Sequence, residues 1–271
     1  MKTALITCVN YNSYEVLNDY IKSIDAAAMA VTNRLSVTVA VADNTVENYQ
    51  DICVPVKNIK LQIYPYHKNY GYMGGAVKIL KEIGEANAKK FDFVFVTNVD
   101  ITLSVDFFVE LLKVDTKNIG WIAPSIFRSY DGSNENPFIL KMPSKLRMRA
   151  YIVMYSFPKL FGWYQNYTTK NRRNIKNVDS EPQTIFAGMG SIFVFTKAFI
   201  NKCYPLTFPT FMYGEEIYYG YLVQKMNLKT LYVPNIKVQD ICSISTSLLG
   251  IKRKCDMNKN SLKLISKIIY S

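Results

Sequence analysis

Histidine is nearly missing from this chain: His67 is the only one among 271 residues. The five cysteines (Cys8, Cys53, Cys203, Cys242 and Cys255) are odd in number, widely scattered and form no Cys-x-x-Cys pair. This disfavours both a zinc site and a disulfide framework. The cysteines read as buried apolar fillers in a reducing, cytoplasmic setting. Glycine (12) and proline (10) are sparse, which excludes collagen-like structure and argues against disorder. No apolar run reaches the roughly 18 residues needed to span a bilayer. The opening MKTALITCVNYNS has a short apolar stretch that Asn10, Asn12 and Glu15 cut off, so it reads as a first strand rather than a signal peptide.

Acidic residues are absent from one long stretch. Residues 141–178 hold nine Lys/Arg and no Asp or Glu, and residues 250–271 hold six bases against one acid. Residues 1–140 have a net charge of −2 and residues 179–249 are balanced. The net charge of +12 therefore sits in two short segments. That pattern disfavours a uniformly basic nucleic-acid coat and fits two local anionic contacts on an ordinary body. The hydrophobic content of 49% is enough for a sizeable core in one domain or two small ones.

The first 125 residues alternate in period. Ala4–Val9, Ser36–Ala42, Leu61–Tyr64, Phe91–Thr97 and Gly120–Ala123 read as strands. Tyr14–Ala30, Gly74–Gly84 and Val105–Leu112 read as helices between them. The alternation predicts parallel βαβ units and a sheet covered on both faces. Residues 129–184 have no clean period. Order returns with Ile185–Thr196, which Gly188 and Gly190 interrupt. A helix over Glu216–Met226 and a last strand over Thr230–Val233, closed by Pro234, complete the body.

Ligands of an open parallel sheet bind beyond the carboxyl ends of its strands. The residues there are Asn10-Tyr11-Asn12, Asp43-Asn44-Thr45, His67 to Gly75, and Asn98-Val99-Asp100. Each has a plain reading. Asp-Asn is a common turn pair, Gly74-Gly75 permits a tight strand-to-helix turn, and Asn98 and Asp100 serve as caps. Together they also fit a nucleotide ligand. A carboxylate after the second strand suits a nucleoside, a glycine loop before a helix suits phosphates, and a carboxylate after the fourth strand suits a divalent metal. Phe211-Met212-Tyr213-Gly214-Glu215-Glu216 is a second constellation. Its two acids complement a helix N-terminus, or, in an aromatic setting that raises their pKa, supply a general base.

In this order the motifs resemble the inverting family-two glycosyltransferases with the GT-A fold, in particular their bacterial rhamnosyltransferase-like branch. The likeness runs from residue 3 to about 246 through Asn10-Tyr11-Asn12, Asp43-Asn44-Thr45, Asn69-Tyr70-Gly71-Tyr72-Met73-Gly74-Gly75, Asn98-Val99-Asp100, Ala187-Gly188-Met189-Gly190-Ser191 and Phe211 to Glu216. It implies an α/β fold with a Rossmann-like nucleotide-binding half (1–103), a mixed central sheet with helices on both faces, and an acceptor-binding half (104–250). A basic amphipathic tail (251–271) follows.

The resemblance further implies a nucleoside-diphosphate-sugar donor. Asn10, Asp43, Asn69, Gly71, Gly75 and Asn98 would form the donor site. Asp100 would hold Mg²⁺ or Mn²⁺ on the diphosphate, Glu216 would be the general base, and Glu215 its support. The family's late His falls at Asp240, a hard oxygen ligand that also brings negative charge towards the diphosphate. The chain departs from the family as well in Ala76, where Asn is common, and in Glu-Glu for Glu-Asp. The implied acceptor is a glycan, polyprenyl-linked, of a surface polysaccharide.

Residues 141–178 interleave bases with Tyr151, Tyr155, Phe157, Phe161, Trp163 and Tyr164. They read as a membrane-facing lobe on the cytoplasmic face of an anionic membrane, or alternatively as an RNA-binding segment in a non-catalytic module. No recognised nucleic-acid motif is present, so nucleic acid is not the expected partner. The tail reads equally as an interfacial helix or as a helix docked on the body. A degenerate transferase acting as a partner subunit is a third reading, resting on Ala76, Glu216 and Asp240.

Overall fold

A computed structural model describes residues 1–163, 181–241 and 250–271. Its centre is a nine-stranded mixed sheet built from β1 (Lys2–Asn10), β2 (Leu35–Asp43), β3 (Lys60–Pro65), β4 (Phe93–Thr97), β5 (Ile101–Leu103), β6 (Ile119–Arg128), β7 (Gln183–Ile185), β8 (Ile192–Thr196) and β9 (Lys229–Asp240). The order is β3-β2-β1-β4-β8-β6-β9-β5, with β7 also paired to β9. Strands β1 to β4 are parallel, so their carboxyl ends form one rim, as the alternation predicts. Strand β8 then runs antiparallel between β4 and β6 and makes the sheet mixed.

Both faces are covered because the central strands alternate their large side chains. Phe93 and Phe95 of β4 point to the layer of α1 (Tyr14–Met29) and α4 (Phe107–Lys113), while Val94 and Val96 point to the opposite layer. That second layer contains α2 (Tyr72–Ile83), α6 (Lys197–Cys203) and α7 (Glu215–Lys225). Further helices among the described residues include α3 (Glu85–Ala88), α5 (Lys145–Tyr155) and α8 (Ile251–Tyr270).

Three sequence expectations are corrected. The last strand does not close at Pro234: β9 continues to Asp240, and the register against β6 shifts between Pro124 and Ser125. A proline is tolerated there because its missing N–H falls at the irregularity, while its carbonyl accepts a hydrogen bond from Ser125 Oγ (3.1 Å). The apolar run Ile185–Thr196 is two strands, not one, because Gly188 and Gly190 lie in the connection between β7 and β8. Cys53 is exposed, unlike Cys8 and Cys255, so it is not a core filler. Cys242 lies outside the described residues, as does the 164–178 part of the basic aromatic segment.

The tail is a 20-residue helix docked on the body. Cys255, Leu262, Ile265 and Ile269 are buried. Ser261 Oγ donates to Met212 O (2.7 Å), and the Tyr270 hydroxyl bonds to the Pro143 carbonyl. These four apolar side chains are therefore spent on protein. No helix among the described residues is long and apolar enough to cross a membrane.

Candidate active site

The carboxyl end of β4 turns through Asn98-Val99-Asp100 directly into β5, which pairs with the far end of β9. Ile101 lies opposite Asp240 in that register, and Ile241 N donates to Asp100 O (2.9 Å). Two carboxylates 140 positions apart are thereby set side by side. Burial, and then the charge of Asp240, push the Asp100 carboxyl up to about 6, although hydrogen bonds from its own backbone and the Asn98 side chain oppose the shift. Ser191 Oγ donates to Asp240 Oδ2 (3.3 Å), and Asn98 N donates to Ser191 O (2.9 Å), so the start of β8 braces both acids.

The second pair of acids opens α7. Gly214, at φ +89°, precedes the helix, and Glu215 and Glu216 fill its first turn. Burial is the main force raising both carboxyls. Glu215 is pushed up to about 8, with the Glu216 charge adding to burial and the N–H groups of Glu215 and Tyr213 opposing it. Glu216 is also raised, chiefly by burial and further by the Glu135 charge, while the N–H groups of Glu216 and Gly190 hold it down. The first turn is rigid because Tyr219, one turn further on, is fully buried among Phe193, Phe195 and Phe199, and its hydroxyl donates to Thr207 O (3.0 Å).

Glu215 and Glu216 line a cavity of about 670 Å³ whose other walls include Phe138, Arg147, Tyr151 and Tyr213. The volume is within the roughly 300–1,000 Å³ of small-molecule sites. The Tyr213 hydroxyl is buried without a protein partner among the described residues. A cleft of about 230 Å³ at Thr102, Phe127 and Lys237 contains none of these acids.

Tyr72 joins the two carboxylate pairs. Its hydroxyl lies within hydrogen-bonding reach of Val96 O (2.9 Å) and Gly190 O (3.0 Å). Burial, followed by the charges of Glu215, Tyr20, Glu216 and Asp100, holds it well above its ordinary pKa, so it remains a donor. Sequence reading offers Tyr72 only as one of several tyrosines able to stack on a base or sugar, not as a hydroxyl bonded to two distant carbonyls. It also missed Asn136, whose side chain accepts from Met189 N (2.9 Å) and donates to Pro124 O (2.7 Å), fixing the loop that leads to Gly190.

The expected donor residues occupy the rim but differ in kind. Asp43 is 1% exposed and fully engaged: Oδ1 accepts from Asn10 Nδ2 (3.0 Å) and Thr45 N (3.2 Å), and Oδ2 accepts from Tyr14 Oη (2.9 Å). Asn69 is exposed and its Oδ1 accepts from Gly71 N (2.9 Å), which shapes the turn into α2. A β-carbon at Gly71 would meet Phe211 O at 2.6 Å. Gly75 is a packing position, not an open phosphate cradle: a β-carbon there would lie 2.8 Å from Val9 and 3.2 Å from Ala42, so the glycine lets α2 approach the sheet. His67 stacks on Tyr49 at 3.9 Å between ring centroids.

For a metal, the chemistry of the donor set is the test. Among the described residues no group of three His, Cys, Asp or Glu converges. Asp100 and Asp240 nevertheless present hard oxygens whose mutual repulsion a cation would relieve, so the pair fits Mg²⁺ or Mn²⁺ with positions left for a ligand's own oxygens.

The mixed nine-stranded sheet with its parallel half has the GT-A fold, which a solved structure shares. Among solved structures the chain is similar to the crystal structure of GalNAc-T7 with UDP, GalNAc and Mn²⁺, with a TM-score of 0.52 and 13% identity. The match covers 90% of this chain and 44% of that one, so the chain spans less than half the length of this relative. No protein-family model and no curated protein matches the sequence.

Proposed function

We propose that the protein transfers a sugar, with inversion, from a nucleoside-diphosphate-sugar to an acceptor hydroxyl. The observation that carries this reading is the Glu216 carboxylate at the wall of the large cavity, held by the Gly190 N–H and linked through Tyr72 to the Asp100 side. Glu216 takes the proton of the acceptor hydroxyl as its oxygen attacks the anomeric carbon. The bond from that carbon to the diphosphate breaks, and its electron pair leaves on the diphosphate oxygen. Asp100 and Asp240 would hold Mg²⁺ or Mn²⁺, which when bound supplies positive charge for the leaving diphosphate. Burial favours the neutral form of Glu215, which would keep a second negative charge away from the base. The neighbour's Mn²⁺ and UDP support a metal and a nucleotide donor here as well.

The finer reading is a hexosyl- or deoxyhexosyltransferase of the bacterial rhamnosyltransferase-like branch. It would act on a polyprenyl-linked glycan during surface-polysaccharide synthesis, at the cytoplasmic face of the membrane. It rests on the motifs and on the basic aromatic wall of the cavity. The test is a panel of nucleoside-diphosphate-sugars with Mn²⁺, read as donor-dependent thermal stabilisation and as nucleoside-diphosphate release. Glu216→Gln should keep the stabilisation and lose the release. Full release by that variant would remove Glu216 as the base.

A further inference from the structure

Helix α5 has three faces. At 100° per residue, Met148 and Ile152 point to the core, and Arg147, Tyr151, Met154 and Tyr155 turn to the cavity. Leu146, Arg149 and Val153 share the third face, which nothing in the proposed reaction uses. Leu146 is 76% exposed and Val153 57%. Past the helix end Phe157 (58%), Leu160 (48%) and Trp163 (65%) are exposed as well.

So many exposed large apolar side chains in one short segment mark a contact surface. The charge identifies the partner: residues 141–163 contain Lys141, Lys145, Arg147, Arg149 and Lys159 and no acid. Apolar side chains inserted among long basic ones are the pattern of an interfacial helix on anionic lipid.

We propose that this exposed segment, from Leu146 to Leu160, docks the protein on an anionic bilayer. The inference rests on the transferase reading for its purpose. Because the adjoining face of the same helix lines the cavity, docking there brings the cavity beside the lipid surface on which a membrane-held acceptor travels. The C-terminal helix is the obvious rival by composition, but its apolar face is buried.

The experiment is vesicle flotation of the full chain with phosphatidylglycerol–phosphatidylethanolamine and with phosphatidylcholine vesicles. Wild type should float with the anionic vesicles only, and less so at high salt. The double variant Leu146→Ser, Val153→Ser should bind about tenfold more weakly, and Arg149→Glu should reduce binding at low salt. Leu264→Ser, on the exposed side of the tail, should bind as wild type does. Equal binding to neutral vesicles, undiminished binding by the double variant, or loss in the tail variant instead would overturn the proposal. So would self-association through the segment, seen by sedimentation, without vesicle binding. Donor-dependent nucleoside-diphosphate release onto a water-soluble acceptor, measured in parallel, should be unchanged in all three variants. Its absence in wild type would count against the transferase reading and leave the vesicle result intact.

Discussion

Glu216 and residue 190 compete for one space: a β-carbon at Gly190 would lie 2.6 Å from Glu216 Oε1, and the Gly190 N–H bonds to that carboxylate. The glycine-broken segment before β8 thus sets where the Glu216 carboxylate sits. Gly190→Ala should displace the carboxylate. A shift of about 1 Å in a reacting group costs on the order of a hundredfold in rate, so kcat should fall by about that factor with donor binding nearly unchanged. Steady-state kinetics alongside donor-induced thermal shift would check this, and a loss confined to donor binding would contradict it.

The two glutamates should behave differently. Glu216→Gln removes the proton acceptor and should lower kcat by about 10²- to 10⁴-fold. Glu215→Gln imitates the protonated form that burial already favours, so near neutrality it should cost less than about tenfold. Above pH 8 the wild type ionises Glu215 beside the base. A pH–rate profile should then show the variant diverging from the wild type in that range.

Stability should fall as pH rises. Asp100 and Glu215 have raised carboxyl pKa values in the folded protein, at about 6 and about 8. The folded state therefore binds more protons than the unfolded chain between pH 4 and 8, and the resulting stabilisation is lost as pH climbs through those values. Mn²⁺ held by Asp100 and Asp240, as proposed, would offset this charge, so the rise in Tm with Mn²⁺ should be larger at pH 8 than at pH 5. Asp240→Asn should shrink that metal effect. Scanning calorimetry over this pH range provides the measurement.

Asp43 is predicted to matter first for the fold. Its oxygens accept from Asn10, Thr45 and Tyr14. Asp43→Ala leaves buried donors unsatisfied and should cost about 1–3 kcal/mol, read as a lower urea midpoint with an unchanged slope. Donor affinity should fall as a consequence of the loosened rim.

Local pattern made much of this legible. Val37, Val39 and Val41 alternate cleanly against the α1 layer, and the spacing of Ala76, Val77, Leu80 and Ile83 marks a helix where α2 stands. Gly71 and Gly75 stood out as special, but sequence alone could not tell a phosphate loop from a helix pressed onto a sheet. That distinction depends on Phe211 and Val9, which are distant in the chain. The hydrogen-bonding role of Tyr72 was illegible for a related reason: its partners Val96 and Gly190 are distant in the chain.

The sequence by itself determined the alternation of strands and helices, the parallel rim, the candidate acids and the segregation of positive charge, because each follows from local periodicity and composition. Only the tertiary structure decided that Asp240 stands beside Asp100, that Gly190 makes room for Glu216, and that the tail docks while the outer face of α5 stays bare. Those outcomes depend on sheet register, on the shift near Pro234 and on which apolar faces find each other, and such contacts between distant residues leave no periodic trace in the chain.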